Sequence, residues 1–166
     1  MKRINNKGFT LVEVIAVVVI IALLGRIAIP NVISTINKGK DTSYEILVED
    51  IKIAAKQLFE EVEFMKVTLY QYSSYGVSEL PISIDESTST INTNLQTLVS
   101  NGFLSGINNQ DRGGSNKNYK IITNPKNGLD IGYCTIKIVK TIDSNFNTSY
   151  EITNPSSGDD NCPNNY

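Results

Sequence analysis

The sequence predicts an α+β chain, with one long N-terminal helix packed in its second half on a small antiparallel β-sheet. Three observations carry this. Leu11 to Ile29 is almost continuously apolar. Beyond Pro30, apolar residues recur at three- and four-residue steps as far as Met65, tracing one helical face. The end of the chain alternates β-branched and polar residues between turn signals.

The first eight residues are polar and carry Lys2, Arg3 and Lys7. The apolar stretch that follows suits a bilayer core, which about 20 helical residues cross. Its run Val17-Val18-Val19-Ile20-Ile21 is β-branched, yet a segment in lipid must satisfy its own backbone, so helix overrides propensity. Positive charge stays cytoplasmic, which puts the leader inside and the bulk of the chain outside. In an ordinary secretory signal the cut follows the apolar stretch. Here a cut after Gly8 removes only the leader and keeps the helix. Glu13 is the misplaced charge. An acid inside a span costs about 2.5–3.5 kcal/mol on insertion scales and calls for a partner. No Lys or Arg lies one helical turn away. A cut between Gly8 and Phe9 would create a partner, the α-amine of Phe9, four residues from Glu13; the bland reading has Glu13 snorkelling at the interface.

The run Lys7-Gly8-Phe9-Thr10-Leu11-Val12-Glu13, with Ala28-Ile29-Pro30 further on, resembles the N-terminus of type IV prepilins and pilin-like proteins. The resemblance covers roughly the first 30 residues; the rest is similar only in layout. It implies that a prepilin peptidase cuts after Gly8 and N-methylates Phe9. It also implies that Glu13 pairs with a neighbouring subunit's N-terminal amine during assembly, and that the helix kinks or melts near Pro30. Gly25-Arg26 departs from the family's small apolar residues. Arg26 either snorkels to the outer headgroups or meets a neighbouring subunit's carboxylate. Ala22 stands where members often carry glycine, so any melting would centre on Gly25 to Pro30.

The amphipathic half runs from residue 31 to about 69. Tyr44, Leu47, Ile51, Ala54, Leu58, Val62 and Met65 form its apolar face. Glu49, Lys52, Lys56, Glu60 and Glu63 fall mostly off that face. Gly39 is a predicted interruption, with Asp41, Thr42 and Ser43 as cap candidates. Residues 70–166 form the head. Tyr70 to Ser89 reads as loop, with Tyr70, Tyr72 and Tyr75 clustered for adhesion or for packing. Thr93 to Phe103 reads as a short helix capped by Asn92 or Thr93 and ended by Gly102. Strands are predicted over 119–123, 129–142 and 150–153, with Ile136, Ile138 and Ile142 facing one way. Pro125-Lys126-Asn127-Gly128 is the turn between the first two. The tail from Asn154 should be irregular. Cys134 and Cys162 both lie on the outward side, where disulfides persist, and are predicted to close a loop of about 29 residues.

Composition narrows the function classes. The 166 residues have a net charge of −2, and losing the three leader cations takes the side-chain balance to −5, against a general nucleic-acid binder. There is no His, which removes the commonest general base and metal ligand. Two Cys without His make a poor zinc set, and no cofactor site is predicted. Asp159, Asp160 and Asn161 fall short of calcium's six to eight oxygens and read as a solvated turn. Asn147-Thr148-Ser149 is a formal glycosylation triplet of little weight. An enzyme is therefore not expected. The resemblance implies a precursor in the cytoplasmic membrane, N-terminus inside, that later reaches the cell surface. Its partners would be copies of itself, the peptidase and the assembly machinery; a host surface or nucleic acid is not identified. Three readings compete: a type IV pilus subunit for adhesion, motility or aggregation; a minor pilin or pseudopilin of a secretion or DNA-uptake machine; and a membrane-anchored binding protein that never polymerises.

Overall fold

The structure is a computed structural model. It describes residues 9–64, 69–73, 76–108, 120–155, 159, 161–163 and 166, and the side chains of Ile27, Ala28, Pro30 and residues 73–80 are not among those described. The chain divides into two compact units, residues 1–40 and 41–166. Helix α1 runs from Leu11 to Phe64, so the interruption predicted at Gly39 is absent. A glycine costs a helix only about 1 kcal/mol, and a helix already propagating on both sides passes it without a new nucleation step. The backbone is also helical through Pro30, although an interior proline removes one N–H bond and crowds the carbonyl four residues back.

In the first unit every large apolar residue from Leu11 to Leu24 is more than half exposed, and Ile29, Val32, Ile33 and Ile36 continue the exposed apolar surface. The helix is long and apolar enough to cross a membrane.

In the second unit α1 buries Ile51, Ala54, Ala55, Leu58 and Phe59. This is the predicted face, widened by Ala55 and Phe59; Tyr44, Leu47 and Val62 are half-buried at its margins, and Met65 lies outside the described residues. It packs on an antiparallel sheet of β3 (Thr90–Asn94), β6 (Thr135–Ile142) and β7 (Thr148–Thr153), with β6 in the centre. Ile91, Ile136, Ile138 and Ile152 supply the sheet's inner face, as the period-2 pattern requires. The next inward position on β6 is Lys140, opposite Tyr150 of β7. Its ammonium meets Glu63 at 2.6 and 2.7 Å and lies 5.4 Å from the Phe64 ring centroid. The Tyr150 ring stacks edge-on against Phe59 at 5.6 Å. Ile142, predicted to share this face, is exposed, since it lies past Lys140, where β6 enters the hairpin end.

Residues 70–89 differ from the predicted loop. β1 (Tyr70–Ser73) and β2 (Gly76–Pro81) form a hairpin with a register shift between Tyr70 and Tyr72; Tyr75 lies outside the described residues. Strand β3 occupies positions assigned in part to the short helix. That helix, α2, spans Leu95–Ser100, and its N-cap is Asn94, one residue beyond the predicted caps; the Asn94 side chain accepts from the Thr97 amide. Gly102 does end it, at φ 85°.

The predicted strand over 119–123 is reduced to β5 (Lys120–Ile121), paired with β4 (Ile107–Asn108), plus an isolated bridge from Thr123 to Asp130; Tyr119 lies outside the described residues. Residues 129–134 are not part of β6. Gly132 and Cys134 instead give their carbonyls to the Gln96 and Leu95 amides at the start of α2, so they are spent before a strand neighbour can use them. The turn at 125–128 stands, with Gly128 at φ 74°.

The tail is irregular but anchored. Cys134 and Cys162 form the predicted disulfide. Asn124 and Asn127 donate to Asn161, and Asn154 donates to the Pro163 carbonyl. Asp159 accepts from the Asn161 amide and from the Tyr133 hydroxyl. The Asn161 backbone bond, then the Tyr133 bond, holds its carboxyl below the usual range, while the same contact pushes the Tyr133 phenol up. Asp160 lies outside the described residues.

Between β6 and β7 the Asp143 carboxylate accepts from the Asn145 and Asn147 amides and from the Asn147 side chain. The Asn147 bonds hold its carboxyl below the ordinary range. A carboxylate depressed in the folded state stabilises above its ordinary pKa, and that contribution is lost as pH falls through the lower folded value. The Asn145 and Asn147 amide resonances should therefore be constant above about pH 5 and titrate below about pH 4, and Asp143→Asn should abolish that titration. Replacing Cys134 and Cys162 together by Ser should cost roughly 3.5 kcal/mol by loop entropy, read from denaturant unfolding of the full chain in detergent.

Candidate processing and assembly site

The site is the start of α1. Lys7 and Gly8, and so one side of the predicted cut, lie outside the described residues. Phe9 and Thr10 precede the helix, and Phe9 is 87% exposed. The Thr10 carbonyl accepts the first helical bond, from the Val14 amide at 3.3 Å, which makes Thr10 the N-cap. Its hydroxyl accepts from the Glu13 amide at 3.3 Å. In return, Glu13 Oε2 accepts from the Thr10 amide at 2.8 Å and from the Thr10 hydroxyl at 2.9 Å.

This is a reciprocal capping box. The sequence carries its signature, Thr-x-x-Glu ahead of an apolar run, with a neutral hydroxyl in place of the cation expected beside Glu13. Glu13 therefore has a partner within its own chain. Both bonds fall on Oε2 and both come from neutral donors, so the charge itself is not neutralised. The geometry also changes the predicted pairing within one helix. Phe9 lies before the cap, so it does not share a helical face with Glu13 as two residues four apart inside a helix would.

Of the other predicted site residues, Arg26 is exposed on α1, and Pro30 lies in the helix with its side chain outside those described. Cys134 and Cys162 are buried in the head, far from this site in sequence. Among the described residues no cluster of three or more His, Cys, Asp or Glu could hold a metal.

Residues 3–25 match the prokaryotic N-terminal methylation motif. The match supports placing the chain with type IV prepilin-like proteins. Together with the apolar helix it fits a membrane-anchored precursor. No curated protein and no solved structure matches the chain, so the motif speaks for the N-terminus and leaves the head's role open.

Losing an N-cap hydroxyl costs about 1 kcal/mol. Thr10→Val in bicelles should therefore speed hydrogen exchange of the first-turn amides roughly fivefold, while Thr10→Ser should exchange like the wild type.

Proposed function

We propose that the protein is a structural filament subunit of the type IV pilin class, released from its leader by a cut after Gly8 and polymerised through α1. The observation that carries this is the Gly8-Phe9 junction placed just ahead of an acid-bearing apolar helix. A membrane-anchored binding protein would need the helix but neither the junction nor Glu13. On this reading the mature N-terminus is N-methylated Phe9. Copies exchange lipid contacts for helix–helix contacts as they leave the membrane. Lipid is already apolar, so that exchange yields little hydrophobic gain, and packing and polar pairing must select the register.

Glu13 supplies the pairing. The capping box engages one oxygen of the carboxylate with neutral donors and leaves its charge in place, and the Phe9 amine of an adjacent copy completes the ion pair. Because Phe9 lies ahead of the cap, this pairing fixes an axial offset between copies. The contact is heterologous and need not close, which is how open helical polymers form. The motif serves abundant pilus subunits and trace pseudopilins alike, and the stapled head with its long connections favours the former.

Glu13→Gln keeps a cap acceptor and removes the charge. It should leave cleavage and membrane insertion unchanged while lowering recovery in sheared surface filaments by more than tenfold. Mass spectrometry of the mature N-terminus reads the first result and immunoblotting of the fibre fraction reads the second. Normal incorporation of the variant would refute the pairing, and an intact Met1 on the wild-type protein would refute the processing.

A further inference from the structure

Arg26 is the second charge in the apolar half of α1, and its own chain does not answer it. It is exposed, and among the described residues the ion pairs are made by Lys52, Lys56, Lys126 and Lys140. Glu13 lies 13 residues earlier and is the one acid of α1 before Asp41. That separation is about 20 Å along a helix axis. It is also about 3.6 turns, so the two side chains leave the helix on nearly opposite sides. They cannot meet within one copy.

In a bilayer each charge has its own way out. Arg26 lies 15 residues past Leu11, about 22 Å of helix, in a hydrocarbon core of about 30 Å. Its stem covers most of the remainder and brings the guanidinium to the outer headgroups, while Glu13 stays near the inner ones. A polymer offers no headgroups. Leu23, Leu24 and Ile29 around Arg26 are 59, 61 and 60% exposed and would face other copies, so the guanidinium needs a carboxylate there. Glu13 has capacity for it. Both Thr10 bonds fall on Oε2, and Oε1 has no donor among the described residues. A carboxylate oxygen takes about two donors, here the Phe9 amine of one neighbour and a guanidinium N–H of another. The two cations come from different copies. The amine displaces its copy by about 6 Å toward the C-terminal end of α1, and Arg26 displaces its copy by about 20 Å the other way.

We propose that Arg26 of one copy donates to Glu13 Oε1 of a second copy displaced by about 20 Å along the helix axis, an ion pair that rests on the polymer reading above and adds a second register to it. A guanidinium suits the place, being more weakly hydrated than an ammonium. Ala16, one turn past Glu13, and Ala22, one turn before Arg26, are small enough to let helices approach there. With donor and acceptor on nearly opposite faces, each copy gives one such pair and receives one, and the chain of copies stays open. Arg26 thus exchanges headgroups for a carboxylate as the helix leaves the membrane.

The test uses the full chain in assembled filaments. Arg26→Gln should leave cleavage and membrane insertion unchanged and lower filament mass about tenfold or more, and Arg26→Lys should restore most of it. Glu13→Gln with Arg26→Gln should give no fewer filaments than Glu13→Gln alone, because the second change removes a partner already lost. The offset is read by disulfide cross-linking. Ile20 and Ile33 each lie seven residues past a member of the pair, so they repeat its spacing on the same helix faces. Both native cysteines are in the disulfide, so Ile20→Cys with Ile33→Cys offers two new thiols. Mild oxidation should turn its filaments into a covalent ladder, and either single variant should give none. Wild-type filament mass from Arg26→Gln, a further tenfold fall in the Glu13→Gln, Arg26→Gln chain, or normal double-cysteine filaments without a ladder would each overturn this pair while leaving polymerisation intact. Absence of filaments from the wild-type chain would overturn the polymer reading and the pair together.

Discussion

A carboxylate at the start of an apolar helix has to be satisfied, and the chain answers that demand in its own first turn. Bare, Glu13 would add about 2.5–3.5 kcal/mol to membrane insertion. The reciprocal bonds with Thr10 hold the acid at the helix end, where its negative charge also faces the positive end of the helix dipole. The cap thus reduces the cost of keeping a charge there without removing the charge. On the proposed reading, that remainder is what another copy recognises. A fully neutralised acid would make α1 a good anchor and a poor assembler; an uncapped one would fray the end that must present it.

The head follows a different logic. Its core is a face of α1 against the inner residues of three strands, closed at one end by the ion pair of Lys140 with Glu63. Lys140 is only 11% exposed. Glu63 keeps 30% of its side chain exposed, so the pair is part-buried and either member retains access to water. The pair marks where the inward row of β6 stops being apolar and ties that end of the strand to α1. Tyr150 reinforces that tie through Phe59 and a contact to Glu60. At the tail, with little apolar content of its own, the disulfide and a set of asparagine bonds take the place of a core.

What could be read from the sequence divides along physical lines. The apolar span, the α1 face through Ile51, Ala54 and Leu58, and the Asn127-Gly128 turn are local patterns, in which each residue's neighbours decide its state. The two cysteines could be paired because they are the only two. The errors arose where long-range contacts decide. Residues 129–134 look like strand, but the Gly132 and Cys134 carbonyls go to the start of α2, while those of Leu129 and Ile131 accept from Asn124 and Cys134. Tyr70 to Pro81 looks like loop from its Ser, Tyr and Gly content, yet β-competent tyrosines pair once a partner strand is adjacent. Asn92 and Thr93 are plausible caps in isolation, but β6 claims them for β3. The Thr10–Glu13 box is equally local, but its partner for the acid is a neutral hydroxyl rather than an opposite charge.

The two halves of the molecule also carry different amounts of information about role. On the proposed reading the N-terminus answers to a peptidase, a bilayer and a helix-packing geometry, so its motif speaks to a mode of assembly rather than to a task. The head is constrained only by its own core and by whatever it touches. Phe146, exposed and left-handed on the turn between β6 and β7, costs folding free energy. Such a residue is informative because physics alone would replace it with Asn or Gly. On the proposed reading, the head's surface chemistry, rather than the N-terminal motif, is where the difference between an abundant pilus subunit and a trace component of a secretion fibre lies.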